Sequence, residues 1–448
     1  MPLRATVDRT RTATISLAAA AVLYLLWLTA DRAVIFAGEP LYRHDIGSNL
    51  HARAAATEEL PVYRFWQGTI GEAVMASEGT TLDVNSVDAP LLPSIVKGPY
   101  LLWPTQGSMT VVWQTDLATK SRIEYGLATS GEFYMADLNS VTLHQMTLVG
   151  LEPNTTYSFM VTSGVVPGPT STFVAAPAAD HSFRFAVYGD TGTSPGRHAI
   201  VAQSIMKSQP AIVFHAGDLV GIGRDYWNWE SDFFEPAYGL MLTTPIVPVL
   251  GNHEYFGTEP LWFPYFFAPP STGGWWAMTY GNVRFIGLNT NRDYAPGSKQ
   301  GDWLLAELQS SEFAQAVWRI VIFHHPPYTC TSVHDDDTSV QSHLVPLFDQ
   351  YGVHMVFSGH SHAYERYSQR GITYIVTGGG GAPLYELVED TIPPIRQFGA
   401  SRHHHCVVDV NVPDMTLRLK AVDPNGEVFD TIEVDPNRSI PQRTGDVL

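Results

Sequence analysis

Residues 183–190 read Phe-Arg-Phe-Ala-Val-Tyr-Gly-Asp, a short apolar run that ends in a glycine and a carboxylate. Four later segments have the same pattern: an apolar run that ends at a polar residue able to bind a metal ion. These runs predict strands over residues 183–188, 211–216, 245–250, 319–323 and 354–358, and the apolar spacing of residues 198–208 predicts a helix. Buried strands that each end in such a residue bring the polar side chains to one edge of a sheet.

The residues that follow these runs form a ligand set for two metal ions. They are Asp190, Asp218, Asn252, His324, His360 and His362. Asp218 is the candidate for the shared carboxylate, so that one ion would take Asp190 and His362 and the other would take the remaining three. Oxygen and imidazole donors suit Zn, Mn or Fe better than Mg or Ca. Such a pair would activate a bridging hydroxide for attack on phosphorus, and His253 would assist the leaving group.

An all-β segment over residues 93–178 precedes this α/β region. Strands are predicted at residues 108–114 and 121–126, between turn residues. Tyr157 follows the sequence Leu-Glu-Pro-Asn-Thr-Thr, which predicts a tyrosine corner whose phenol bonds to the upstream backbone of a small β-sandwich. The segment resembles a fibronectin type III module.

Size and charge exclude some classes of protein. The 448 residues indicate more than one domain, and 45% hydrophobic residues indicate globular structure. The net charge of −18 disfavours nucleic-acid binding, which needs a basic surface. Acidity does not exclude a small phosphate ester as substrate, because two metal ions would supply local positive charge.

The N-terminus carries a candidate targeting segment. Arg4, Arg9 and Arg11 precede an uncharged, Ala- and Leu-rich run over residues 13–30. This pattern predicts a signal peptide or a membrane anchor within residues 1–33, and an uncleaved anchor is favoured because no A-x-A-like site follows. The bulk of the protein would then be extracytoplasmic: periplasmic, cell-surface or secreted.

Residues 93–434 resemble the calcineurin-like metallophosphoesterases, and within them the purple acid phosphatases and their bacterial relatives. The segment 359–366, Gly-His-Ser-His-Ala-Tyr-Glu-Arg, carries the resemblance most clearly. It implies an all-β sandwich followed by an α/β metallophosphoesterase domain over residues 181–434, with two packed mixed β-sheets flanked by helices. It also implies phosphomonoester hydrolysis, and a substrate contact for His334. The remaining segments would be a spacer (34–92) and a tail (435–448).

Two positions depart from related proteins. Purple acid phosphatases have a tyrosine that binds Fe(III) where this chain has Gly221, so a stable purple Fe(III) site is in doubt. Tyr226 lies nearby in sequence but is a weak substitute. Other metallophosphoesterases have a histidine where this chain has Gly192. Phosphodiesterase activity on the same metal core is one alternative, and a non-catalytic cell-surface binding protein is another.

Several further residues allow two interpretations. His325 either contacts the site or fills its loop. The tract 403–405 is interpreted as packing in preference to metal binding, because neighbours on a strand point to opposite faces. A disulfide between Cys330 and Cys406 is slightly disfavoured.

Two alternatives also apply to Arg366 and to an aromatic stretch. Arg366 is expected to pair with Glu365 or to orient a ligand. The aromatic stretch 262–267 is interpreted as core packing, with a substrate wall as the alternative.

Overall fold

The computed structural model describes residues 92–127, 131–256 and 259–434. The described residues belong to one compact unit. The anchor predicted within residues 1–33, nearly all of the spacer and the tail lie outside them. Within these three ranges, no helix is long and apolar enough to cross a membrane.

The described chain contains eighteen strands. They are β1 Ile95–Thr105, β2 Ser108–Leu127, β3 Phe133–Val149, β4 Thr156–Ser163, β5 Val166–Val174, β6 Phe183–Tyr188, β7 Ile212–His215, β8 Ile246–Pro248, β9 Trp276–Tyr280, β10 Val283–Gly287, β11 Trp318–Ile322, β12 Met355–Ser358, β13 Tyr364–Gln369, β14 Ile372–Thr377, β15 Phe398–Ala400, β16 His405–Asn411, β17 Thr416–Val422 and β18 Val428–Val434.

The helices are few and mostly short. They are α1 Pro195–Ser208, α2 Tyr226–Asn228, α3 Glu235–Thr243, α4 Trp262–Phe267, α5 Lys299–Leu308, α6 Ser311–Gln315, α7 Thr338–His343 and α8 Val345–Gln350, with a π-helical turn Trp229–Phe234 and a 3-10 turn His253–Tyr255. The helix predicted over residues 198–208 is confirmed and begins three residues earlier, at a proline, which favours the first turn of a helix.

The N-terminal β-sandwich is built around one long strand. The strands predicted at residues 108–114 and 121–126 are confirmed, but the turn predicted between them is wrong, because β2 runs through both. Its first part pairs with β1 and its second part with β4, while β3 pairs with both parts. The polar residues between them were interpreted as a turn, but pairing with β3 keeps them extended across a register irregularity.

The tyrosine corner is confirmed. The phenol oxygen of buried Tyr157 accepts a hydrogen bond from the Glu152 N–H at 2.9 Å. The contact closes the turn between β3 and β4.

Two mixed sheets form the core of the following domain, as expected. One has the order β15-β13-β14-β12-β11-β10-β9 and the other β18-β17-β16-β6-β7-β8. A cluster of buried side chains from both sheets includes Phe185, Phe214 and Phe285, and the rings of Phe214 and Phe285 lie 4.3 Å apart. The sheets therefore pack face to face through apolar side chains, and the parallel strands β6, β7 and β8 lie beside one another.

The sandwich is fixed to the two-sheet domain by specific contacts. Tyr100 donates a hydrogen bond to the Phe266 carbonyl at 2.7 Å. Buried Lys97 forms an ion pair with Glu230 and lies over the ring of Phe234 at 4.5 Å. Such buried polar contacts require the two domains to keep one relative position.

Candidate metal centre

The six ligand candidates all follow strands of the two packed sheets. Asp190, Asp218 and Asn252 follow β6, β7 and β8, which are parallel. His324 follows β11, and the segment with His360 follows the parallel strand β12. Because parallel strands end at the same edge of a sheet, their loops meet there.

The ligand loops require unusual backbone geometry. Asp190, Asp218 and His360 have positive φ angles of 62°, 54° and 70°. A non-glycine residue in this region carries strain of roughly 1–3 kcal/mol, which persists only where the surroundings enforce it. A Cβ at Gly359 would lie 2.5 Å from Asp190 Oδ2, and one at Gly251 would collide with the Asp218 carboxylate. Glycine is therefore required where these loops approach the carboxylates.

The donor atoms converge on a small volume. The donor atoms of Asp190, Asp218 and His324 all lie within 4.8 Å of one another. His324 Nε2 is 3.2 Å from Asp218 Oδ2 and 3.0 Å from Asn252 Oδ1. His362 Nε2 is 3.6 Å from Asp190 Oδ1. This set of carboxylate, amide and imidazole donors is one that could hold metal ions.

Backbone carbonyls orient two of the imidazoles. His324 Nδ1–H donates to the Ala216 carbonyl at 2.9 Å, and His362 Nδ1–H donates to the Pro383 carbonyl at 2.8 Å. Both Nε2 atoms are therefore left facing the carboxylates. Metal-binding histidines typically have this arrangement, in which the remote nitrogen is held by an acceptor.

Glu254 joins two of the loops that carry ligand candidates, a role that no pattern in the sequence predicts. Its buried carboxylate accepts the N–H groups of Asp218 at 3.0 Å, Leu219 at 2.8 Å and Gly251 at 2.6 Å. Three bonds from one side chain fix the spacing between the Asp218 and Asn252 loops. Burial and the Asp218 charge raise the pKa of Glu254 to about 7.

Charges in the cluster balance one another in the metal-free protein. Burial lowers the pKa of His324, but the charge and hydrogen bond of Asp218 outweigh burial and raise it to about 9. Burial would raise the pKa of Asp218, but His324 outweighs burial and holds it below its usual range. Burial raises the pKa of the Asp190 carboxyl well above its usual range. A proton on His324 therefore occupies the position that a cation would take.

His253 lies at the open side of the cluster. Its Nδ1–H donates to the Gly221 carbonyl at 2.6 Å, and its Nε2 lies 3.9 Å from Asp218 Oδ2. Its backbone N–H also donates to Asp218 Oδ1 at 2.8 Å. The Gly221 carbonyl thus aims Nε2 at the site.

The rings of His334 and Tyr385 form a wall beside the cluster of candidate donors. The His334 ring stacks on His360 with centroids 3.9 Å apart, and the Tyr385 ring stacks on His362 at 4.1 Å. The two wall residues face each other at 5.5 Å. Tyr385 follows a Gly- and Pro-containing stretch without a motif, so the sequence offered no signal for it.

An apolar cavity of 490 Å³ borders the Asn252 loop. Its lining includes Leu250 and Tyr255 from that loop and Leu261 and Phe263 from the segment that enters α4. Most aromatic residues of the 262–267 stretch are buried in the core, as interpreted, but Phe263 also contributes to this cavity.

The expected pairing of Arg366 with Glu365 is wrong. Neighbours on β13 point to opposite faces, so Arg366 binds Asp430 at 2.7 Å while Glu365 binds Arg396 at 3.0 Å. Neither side chain is placed to bind the metal ions directly.

Tyr226 does not reach the site. Its hydroxyl donates to Gln114 Oε1 of the sandwich at 2.7 Å. Gly221 contributes backbone hydrogen bonds instead, and its N–H donates to Asp232 Oδ2 at 3.1 Å. Cys330 and Cys406 are both free thiols.

The histidines at 403–405 pack in separate environments. Each ring bonds to a different residue, respectively Arg197, Thr377 and Ser208. Within the described part of the chain, the clusters that could hold a metal do not include them.

Comparison with known proteins agrees with this architecture. The calcineurin-like phosphoesterase family model matches residues 183–364, and the model for the purple acid phosphatase N-terminal domain matches residues 96–175. An uncharacterised Mycobacterium tuberculosis protein is 27% identical over 61% of this chain, and the chain spans about two thirds (66%) of that protein's length. Purple acid phosphatase 23 of Arabidopsis thaliana is 25% identical over 76% of this chain and 81% of its own.

The solved structure of a purple acid phosphatase from yellow lupin seeds has the same fold. It superposes with a TM-score of 0.68 at 19% identity and covers 77% of this chain and 75% of its own. The sheets, the strand-end loops and the family matches are together those of a metallophosphoesterase domain. More specifically, residues 183–364 match the calcineurin-like phosphoesterases and residues 96–175 match the purple acid phosphatase N-terminal domain, and the similarity to purple acid phosphatases indicates a phosphatase enzyme.

Replacing Glu254 by Gln tests the clamp between ligand loops. The amide nitrogen would face a backbone N–H, so we expect the free energy of unfolding to fall by about 1–3 kcal/mol. Urea unfolding of the metal-free protein measures this change. Glu433→Gln, at a surface ion pair on β18, is the matched control and should change stability by less than about 0.5 kcal/mol. Equal stability of Glu254→Gln and wild type would contradict the clamp.

Metal binding to the metal-free protein should release protons. Because the pKa of His324 is about 9, its ring is protonated at pH 7.5 and must lose a proton when Nε2 binds a metal ion. Calorimetric titration with Zn²⁺ in two buffers of different ionisation enthalpy should therefore yield at least about one proton per protein. His324→Gln should release about one proton fewer. Equal binding enthalpies in the two buffers would rule out a protonated His324.

Proposed function

We propose that the protein hydrolyses phosphate monoesters at a dinuclear metal centre. The observation that carries the proposal is the convergence of Asp190, Asp218 and His324 within 4.8 Å, with His324 Nε2 directed at the carboxylate. Asp190, Asp218 and His362 would hold one ion. The donors for the other are Asp218, Asn252, His324 and His360. When bound, the two ions lower the pKa of water and neutralise charge on the phosphoryl group.

His253 would protonate the leaving-group oxygen. Since the Gly221 carbonyl accepts the Nδ1 proton, any proton that leaves the ring must leave from Nε2, the atom that faces the cluster. About a third of the side-chain surface is exposed (34%), so its proton can be replaced from solvent. A positioned imidazole of this kind contributes about 10²–10⁴-fold in rate.

His334 and Tyr385 would bind the phosphoryl oxygens. Burial lowers the pKa of His334, which favours the neutral ring, and a neutral imidazole can still donate one hydrogen bond. Burial, with the charges of Asp190 and Asp218, raises the pKa of Tyr385 to about 12, so its hydroxyl also keeps its proton and can donate. Two neutral donors suit an anionic ester without adding charge beside the metal ions.

The ligand charges favour divalent ions. The set has two anionic residues, Asp190 and Asp218, and the other four donors are neutral. A trivalent iron would gain from an additional anionic donor, but Gly221 has no side chain to supply one. We therefore propose Zn²⁺, Mn²⁺ or Fe²⁺ as the working ions.

An extracytoplasmic location is part of the proposal. It rests on the sequence, in which arginines precede the apolar run of residues 13–30.

Replacement of Asp218 by Asn tests the function. The folded variant should bind fewer than two metal ions and hydrolyse p-nitrophenyl phosphate more than about 100-fold more slowly than wild type, because it loses the shared carboxylate. Elemental analysis and steady-state kinetics on the same samples measure both. Asp414→Asn, an exposed site on the β16–β17 turn, is the control and should match wild type.

The wild-type protein distinguishes the alternatives in the same assay. Turnover of bis-p-nitrophenyl phosphate without monoester turnover would make the protein a phosphodiesterase. A folded protein that neither takes up Zn²⁺, Mn²⁺ or iron nor hydrolyses either ester would be a binding protein.

The visible spectrum tests the metal assignment. Wild-type protein loaded with iron in air should lack the charge-transfer band of an Fe(III)–phenolate pair, because residue 221 is glycine and Tyr226 is bonded to the sandwich. Tyr385 is the described phenol that stacks on a ligand histidine. A band that is present in wild type and absent in Tyr385→Phe would contradict the assignment and make Tyr385 a ligand.

A further inference from the structure

A third imidazole lies beside the two that were assigned to the second metal ion. The donor atoms of His324, His325 and His360 are all within 4.8 Å of one another. The ring centroid of His324 lies 5.0 Å from the centroid of His325 and 5.0 Å from that of His360. The centroids of His325 and His360 are 4.7 Å apart. Three rings therefore surround one point, although the ligand set read from the sequence includes only two of them.

The His325 ring is held by the loop that follows β10. Its Nδ1 lies 2.8 Å from the Thr290 hydroxyl, and its backbone N–H donates to the same oxygen at 3.2 Å. This leaves Nε2 as the unengaged ring nitrogen, the arrangement found at His324 and His362. Pro326 and Pro327 follow immediately and restrict the backbone that presents the ring.

A role in filling the loop explains these contacts less well. His325 is only partly buried, and its ring packs against imidazoles on two sides and not against the apolar core. A packing residue needs neither an oriented nitrogen nor proximity to two other donors.

We propose that His325 is an additional ligand of the second metal ion, together with Asp218, Asn252, His324 and His360. This proposal rests on the dinuclear centre proposed above. With a third imidazole, the second position becomes richer in nitrogen donors than the first, which has one imidazole and the carboxylates of Asp190 and Asp218. Nitrogen donors favour Zn²⁺ over Mn²⁺, so the two positions would differ in metal preference.

Stepwise metal titration of the metal-free protein tests the assignment. In His325→Gln, binding of the second Zn²⁺ equivalent should weaken at least about tenfold in competition with a chelator, and the preference for Zn²⁺ over Mn²⁺ should shrink. With Co²⁺ bound, the visible spectrum should change, and pulsed electron paramagnetic resonance of the Cu²⁺-loaded protein should count one imidazole fewer.

Two further variants keep the test decisive. Thr290→Val removes the acceptor for Nδ1 and should weaken the same equivalent by a smaller factor while the imidazole count stays unchanged. His181→Gln, at an exposed histidine paired with Asp180, should leave both equivalents as in wild type.

The outcomes separate the two proposals. Wild type with two bound ions and a His325→Gln variant with the same affinity and spectra would overturn the His325 assignment alone, and a reduced turnover in that variant would make His325 a substrate contact. Wild type that takes up fewer than two ions would overturn the dinuclear centre and the assignment together.

Discussion

Each buried carboxylate of the site is held by the backbone of another ligand loop, and the rest of the site depends on this interlocking. The His360 N–H donates to Asp190 Oδ1 at 2.9 Å, and the His253 N–H donates to Asp218 Oδ1 at 2.8 Å. A loop that moved away would lose both a ligand and the bond that orients a carboxylate. Positive φ angles and glycines are therefore conditions for these bonds, because a Cβ at Gly251 or Gly359 would occupy the carboxylate's position.

Electrostatics makes the same loops dependent on a cation. Asp190, Asp218 and Glu254 are buried together, and burial with neighbouring like charges raises the pKa values of Asp190 and Glu254, because repulsion at short range in a low dielectric is strong. Backbone N–H groups and a proton on His324 compensate for part of this repulsion. A metal ion that replaces the proton would bring more charge to the same point. Binding and folding stability are then coupled, since an ion that binds the folded state alone stabilises it by mass action.

The sequence predicts well where the strands end, but it predicts poorly which side chains and strands pair with one another. The apolar pattern of a strand such as residues 183–188 is local. The sequence alone therefore shows where the strand ends and that Asp190 lies just beyond that end. The partner of Arg366 is set by a strand 64 residues away, so proximity in sequence suggested Glu365 incorrectly. In β2, pairing with β3 overrode the local turn signal. Tyr385 and Thr290 were missed for the same reason, because the loops that carry them are positioned only by tertiary contacts.

Those tertiary contacts distinguish the candidate metal ligands from the residues proposed to contact the substrate. Buried Glu365 accepts from the Cys330 N–H at 2.9 Å and from Arg396 Nη1 at 3.0 Å. It thereby joins the loop that leads to His334 with the loop that carries Tyr385. The two loops also pair directly, since the Ser332 N–H donates to the Glu386 carbonyl at 2.8 Å.

The wall of His334 and Tyr385 is thus fixed as one unit by an ion pair that contacts neither metal position. Ligand candidates at strand ends are constrained by the sheets, whereas this wall is constrained by contacts between loops, among them those of Glu365 and the hydrogen bond from the Tyr385 N–H to the His362 carbonyl at 3.0 Å. In the proposed enzyme, changes in the wall loops would therefore alter which ester is accepted more readily than they would move the strand-end donors. The physical basis is the difference between strand-end geometry, which the two-sheet core determines, and loop geometry, which Glu365 and backbone hydrogen bonds determine.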